Sequence, residues 1–103
     1  MIRDYIGTPA LLEQFAEECT ELAQASLKYA RKLRGDNPTP KNVGEIRDNF
    51  YEEIADVLVC IDELTKSKLI DYEYVARIKK EKRKRWYERI EEREYERKNG
   101  FNL

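Results

Sequence analysis

Apolar residues recur at helical spacing along three long stretches of this chain, and nowhere does the strict alternation of a surface β-strand take over. In the first stretch Leu12, Phe15, Cys19, Leu22, Ala23, Ser26, Ala30 and Leu33 follow the 3.6-residue period and define an expected inner face. Thr8-Pro9 supplies its start, an N-cap followed by proline at the first helical position, where a missing N–H costs nothing. Its end falls at about Leu33, before the break Gly35-Asp36-Asn37-Pro38. Thr39-Pro40 repeats the starting device, so a second helical stretch is expected from near Pro40 to about Ser67, loosened at Gly44. Its apolar side carries Ile46, Phe50, Ile54, Val57, Leu58, Ile61 and Leu64. Asp71 caps a third helix that extends toward Asn99-Gly100, with Val75, Ile78, Trp86 and Ile90 as its early apolar face. Residues 1–7 read as a packing arm or a frayed start, closed by Gly7. Because the first two helices are joined by a short link, they should lie antiparallel and adjacent. The expected architecture is all-α, an antiparallel bundle of three to four helices in a single domain over residues 1–103.

Within these stripes one short pattern is written twice. Residues 15–22 read Phe-Ala-Glu-Glu-Cys-Thr-Glu-Leu and residues 50–57 read Phe-Tyr-Glu-Glu-Ile-Ala-Asp-Val. In a helix, Glu18 with Glu21 and Glu53 with Asp56 are i,i+3 neighbours on one face. Glu18 also falls in line with Leu11, Phe15, Leu22 and Ala25, and Glu53 with Ile46, Phe50, Val57 and Cys60, at the same four offsets. Each glutamate therefore borders or interrupts an apolar stripe. A carboxylate drawn toward a core needs a proton, a counter-charge or a cation. Spacing alone is weak evidence, since Glu45 with Asp48, Glu88 with Glu91 and Glu91 with Glu94 share it. The matched apolar surroundings set the two repeat pairs apart.

Composition narrows the picture further. At 103 residues and 12.3 kDa the chain has a small core, and its 40% charged residues with few Gly and Pro favour long solvated helices. The net charge of −1 hides an asymmetry: residues 1–76 carry nine basic and fifteen acidic side chains, whereas residues 77–103 carry eleven and six. With no histidine and only two cysteines, zinc coordination lacks ligands. Cys19 and Cys60 read as small buried hydrophobes. No apolar leader and no membrane-length apolar run is visible, so a reduced, cytoplasmic setting without membrane contact is expected.

Oxygen ligands in two facing i,i+3 pairs suit a hard divalent cation, Mg²⁺ or in its place Mn²⁺. Such a site can clamp a phosphate chain and activate water without histidine or serine. Lys82 continues the apolar stripe of the third helix between Ile78 and Trp86, with Arg85 one turn on, and the pair could neutralise charge on phosphates. The competing account of Lys82 is a stem laid along the core with its ammonium in water. The chemistry these groups suggest is metal-assisted hydrolysis of a phosphoanhydride.

Glu18-Cys-Thr-Glu21-Leu22 followed by Glu53-Ile-Ala-Asp56-Val57 resembles the ExxE and ExxD pair of the MazG-like, all-α nucleotide pyrophosphohydrolase superfamily. Arg-Gly-Asp-Asn-Pro-Thr-Pro at 34–40, Glu-Glu-Ile-Ala-Asp-Val at 52–57 and the basic segment Glu81-Lys82-Arg-Lys-Arg85 look like its short, phage-type members, and the likeness covers about residues 10–90. The resemblance implies that Glu18, Glu21, Glu53 and Asp56 bind Mg²⁺ and form the catalytic centre, and that Lys82 and Arg85 bind substrate phosphate. It implies hydrolysis of a (d)NTP to the monophosphate and pyrophosphate, in a bundle whose core is completed in a homodimer or homotetramer. The asparagine common near the last basic motif of that superfamily has no counterpart here, Asn99 lying too far on. Two other functions fit parts of the pattern. One is a non-catalytic oligomeric helical interaction protein that assembles through its apolar stripes. The other, a nucleic-acid binder using residues 77–98, is not expected, because acidic residues interrupt that basic surface.

Overall fold

The computed structural model describes residues 1–35 and 42–100, and over these the chain is all-helical. Four helices follow in order: α1 Arg3–Ile6, α2 Thr8–Arg34, α3 Val43–Lys66 and α4 Tyr72–Lys98. They fall into two compact units, Met1–Ile70 and Asp71–Leu103. The expected break at Asp36-Asn37-Pro38 and the expected cap at Thr39-Pro40 lie outside the described residues.

In the first unit α2 and α3 pack along each other as a helical hairpin. Proline sits at the start of α2 as expected, but the capping position is Gly7 at φ 85°, one residue earlier than Thr8, and no side chain closes it. At the other end Gly35 adopts the left-handed conformation (φ 73°) and its N–H donates to the Arg31 and Lys32 carbonyls. Asn42 caps α3: its Oδ1 accepts from the Glu45 N–H at 2.9 Å while its Nδ2 donates to Glu45 Oε1 at 3.1 Å. Gly44 does not loosen this helix. A Cβ there would stand 3.2 Å from Asn42 Oδ1, so the glycine gives the capping side chain its room.

The core of the unit is Leu11, Ala25, Ile46, Val57, Cys60 and Leu64, with Tyr29 set edge-on to Phe50 at 5.5 Å between ring centres. Each buried aliphatic side chain here is worth about 1.5–3 kcal/mol against exposure. The inner face of α2 is a correction to the sequence reading. Leu12, Ala23 and Leu33 are exposed, and so is Cys19, whereas Leu11 and Ala25 are buried and Phe15, Glu18, Leu22 and Tyr29 half-buried. The helix is turned by roughly a quarter revolution, reckoned at about 100° per residue, toward the stripe that contains Glu18. On α3, Ile46, Val57 and Leu64 of the expected side are buried and Phe50, Ile54 and Ile61 half-buried, while Leu58 stands 52% exposed. Short α1 contacts α2, and Arg3 Nη1 donates to the Ser67 carbonyl at 3.4 Å, tying the N-terminal segment to the end of α3.

The second unit is α4. Asp71 caps it as expected, accepting from the Tyr74 N–H at 3.1 Å. Its own contacts are local: Arg77 lies over the Tyr74 ring at 5.5 Å and Arg97 pairs with Glu94 at 2.7 Å. It buries no residue, and Val75, Ile78, Trp86 and Ile90 are all exposed. No helix among the described residues is long and apolar enough to cross a membrane.

Candidate metal centre

The quarter turn of α2 decides the site, because it swings the acidic repeat into the interface with α3. Glu18 and Glu21 come from α2, Glu53 and Asp56 from α3, and one carboxylate oxygen of each lies within 4.8 Å of the others. Both i,i+3 pairs thus converge on one space, Glu18 and Glu53 half-buried and Glu21 and Asp56 exposed. Gln14 Nε2 donates to Glu18 Oε1 at 2.7 Å and orients that side chain from the preceding turn. The remaining oxygens, Glu18 Oε2 and Glu53 Oε2, are closed off from solvent and have no hydrogen-bond partner.

Such an arrangement is unfavourable by itself. The neighbouring carboxylates Glu18 and then Glu53 hold the Glu21 carboxyl above its ordinary range, with smaller contributions from burial, a hydrogen bond to Glu53 and the charge of Glu17. Buried acceptors without donors cost free energy that a bound cation would recover. A hard divalent ion takes oxygen ligands only, and four carboxylates with two unpartnered oxygens satisfy that demand.

Two cavities flank the cluster. One, about 680 Å³, is lined by Glu21 and Glu53 together with Gln24, Lys28, Arg31 and Asn49. The other, about 190 Å³, meets Glu18 and Asp56 and is walled by Ile2, Ile6, Val59 and Cys60, with Glu63 beside them. Glu63 Oε2 is a third buried, unpartnered carboxylate oxygen. Burial foremost, then the charge of Glu18, pushes the Cys60 thiol up, so it stays protonated at neutral pH. Lys82 and Arg85 belong to the second unit, where they line a cleft on α4 with Glu88, Arg89 and Glu92.

The repeat marked all four acids in advance. Lys28, Arg31, Asn49 and Glu63 carried no such mark. Lys28 and Arg31 stand seven and ten residues beyond Glu21, on the same side of the helix, and that periodicity is the signal from which they could have been picked out. Comparison of the chain with protein-family models, curated proteins and solved structures finds no match.

Proposed function

We propose that this protein is a Mg²⁺-dependent nucleoside triphosphate pyrophosphohydrolase, cleaving a (d)NTP to the monophosphate and pyrophosphate. The observation that carries the reading is the convergence of Glu18, Glu21, Glu53 and Asp56 within 4.8 Å, two of them with buried oxygens that lack any donor. The MazG-like resemblance of the two acidic turns supports the same reaction, with Mn²⁺ able to replace Mg²⁺. A divalent cation held there supplies charge neutralisation for the phosphates and a water of lowered pKa. The residues' own parts follow from their surroundings. Glu18, fixed by Gln14, and Glu53, half-buried, are the anchoring ligands. Glu21 and Asp56, exposed at the rim of the cluster, complete the ligand set. Lys82 and Arg85 are the basic pair that the resemblance assigns to substrate phosphate.

Assembly belongs to the same proposal. Leu12, Leu27, Leu33, Tyr51 and Leu58 on the hairpin are exposed, as is the apolar row of α4, and a homodimer or homotetramer would cover them. These same exposed apolar residues favour the second reading, a non-catalytic oligomeric interaction protein, which leaves the acids as plain surface charge.

Pyrophosphate release from a panel of canonical and damaged nucleotides with Mg²⁺ or Mn²⁺ separates the two readings. Turnover is expected for at least one nucleotide, falling about 100-fold or more in Glu53→Gln and in Glu18→Gln, the scale of losing one electrostatic contact to a transition state. No turnover on any nucleotide would leave the assembly reading in possession.

A further inference from the structure

We propose that Lys28 and Arg31 are the anion grip of this site, holding the β and γ phosphates that depart as pyrophosphate, so that the substrate lies with its phosphate tail toward the C-terminal end of α2. The inference rests on the hydrolase reading but draws on different residues.

Three observations carry it. The first is position. Lys28 and Arg31 line the same cavity of about 680 Å³ as Glu21 and Glu53. They begin about 10 and 15 Å along the helix axis from Glu21, but side chains on a helix lean toward its N-terminus, which carries both cationic heads back toward the acids. The second is the absence of a partner. Both side chains are half-buried, and neither forms an ion pair or hydrogen bond with any described residue. Cations this close to a carboxylate cluster, facing one cavity with it yet unpaired, are available for an anion from outside. Gln24 and Asn49 add amide donors to the same wall.

The third is the contrast with the opposite flank. The cavity of about 190 Å³ beside Glu18 and Asp56 has no cation in its lining, and Glu63 brings it a further carboxylate. A phosphate tail would meet repulsion there. The apolar walls Ile2, Ile6 and Val59 suit a ring, and the volume lies below that of sites for whole drug-sized ligands. The two mouths therefore differ in charge, the larger setting two cations against its two acids and the smaller carrying acids alone, and only one orientation places the phosphates beside positive charge.

In this orientation a water oxygen bonds to the α-phosphorus, and the bond from that phosphorus to the α,β-bridging oxygen breaks. The electron pair of the broken bond leaves on pyrophosphate, where Lys28 and Arg31 meet the new charge, while the water's proton passes to a carboxylate of the cluster. The guanidinium of Arg31 can bind two phosphate oxygens at once, whereas Lys28 acts as a point charge.

The test is direct binding of pyrophosphate to the full chain with saturating Mg²⁺, followed by calorimetry. Lys28→Gln and Arg31→Gln should each weaken pyrophosphate binding at least about tenfold, the loss expected when a paired charge is removed. Lys28→Arg should restore most of it and Arg31→Lys only part, since a lysine keeps the charge but not the two-oxygen contact, and Lys66→Gln, an equal charge change elsewhere on the hairpin, should stay within about twofold of the parent. Mg²⁺ binding alone should be unaltered in all of them. Pyrophosphate binding that is absent from the parent protein, or indifferent to Lys28 and Arg31, overturns the proposal. If binding depends on both residues while no nucleotide is hydrolysed, the grip stands and the hydrolase reading falls.

Discussion

The α2–α3 hairpin and α4 are built from similar materials and end differently. Both regions have long helices with well-formed ends and dense charge. The hairpin buries Ile46 and Leu64 almost completely, whereas α4, 27 residues long, buries nothing. The difference lies in how apolar residues are distributed. On α2 and α3 they occupy one side at a dense 3.6-residue period, so that a neighbour can cover them. On α4 the corresponding row is broken by Lys82, and apolar and charged residues are mixed around the helix. A helix without a covered face draws its stability from local pairs and capping, which are worth only tenths of a kcal/mol to about one each. The hairpin can therefore bear the cost of four converging acids, and α4 has no such reserve of its own.

Core truncation tests that contrast most severely. Leu64→Ala and Ile46→Ala should each destabilise the hairpin by about 2–5 kcal/mol in denaturant melts. On α4, Trp86→Ala should change the stability of the unassembled chain, at low protein concentration, by no more than about 0.5 kcal/mol, as at other exposed sites. A loss on the core scale from Trp86→Ala that persists at low protein concentration would erase the contrast, whereas one that grows with concentration is the mark of the proposed assembly.

The next effect separates the acids from ordinary surface charge. Mg²⁺ at a hundredfold excess over its dissociation constant should stabilise the parent by about 2.7 kcal/mol. Glu18→Gln and Glu53→Gln should abolish that gain, and Glu88→Gln on α4 should leave it intact. Glu21 adds a dependence on pH. Its folded pKa is raised above the unfolded value, so the penalty of crowding is absent below the ordinary carboxylate range and sets in as pH rises through the raised pKa. Metal-free protein should thus lose stability as the pH climbs out of the acid range toward neutrality. Glu21→Gln should flatten that loss and raise the metal-free melting temperature at pH 7. A Glu21→Gln variant that melts lower than the parent without metal would show that the carboxylate is held by donors instead of crowded by acids.

The smallest effect concerns the end of the hairpin. Lys68 has φ 61°, a left-handed conformation in which a side chain is strained, and the neighbouring Leu69 N–H closes the end of α3 on the Leu64 carbonyl at 3.0 Å. Lys68→Gly should stabilise the hairpin by at most about 1 kcal/mol, since relief of strain is partly offset by the entropy of glycine in the unfolded chain. A clear destabilisation would mean that the lysine side chain contributes more than its backbone costs.

Much of the architecture was legible because the signals are local. Asp71 was readable as a cap, Gly35 as a stop, and the end of α3 at Lys66 fell within a residue of its expected position. The four acids were readable because the repeat sets each pair in the same apolar context. The true start of α3 at Asn42 was not, since the Thr-Pro pair upstream gives the stronger starting signal. Cys19 was misplaced for a different reason. Alpha2 has two apolar stripes side by side, one through Leu12, Cys19 and Ala23 and one through Leu11, Leu22 and Ala25, and periodicity ranks the first higher because the second includes Glu18.

The amino-acid sequence by itself determined that the chain is helical, where its helices turn and which carboxylates share a face, since each follows from spacing and caps within one element. Only the tertiary structure decided which of the two stripes on α2 meets α3, because that choice depends on the fit of a second surface. With it came the convergence of Glu18, Glu21, Glu53 and Asp56, the exposure of Cys19, and the placing of Lys28 and Arg31 on the same cavity as the acids.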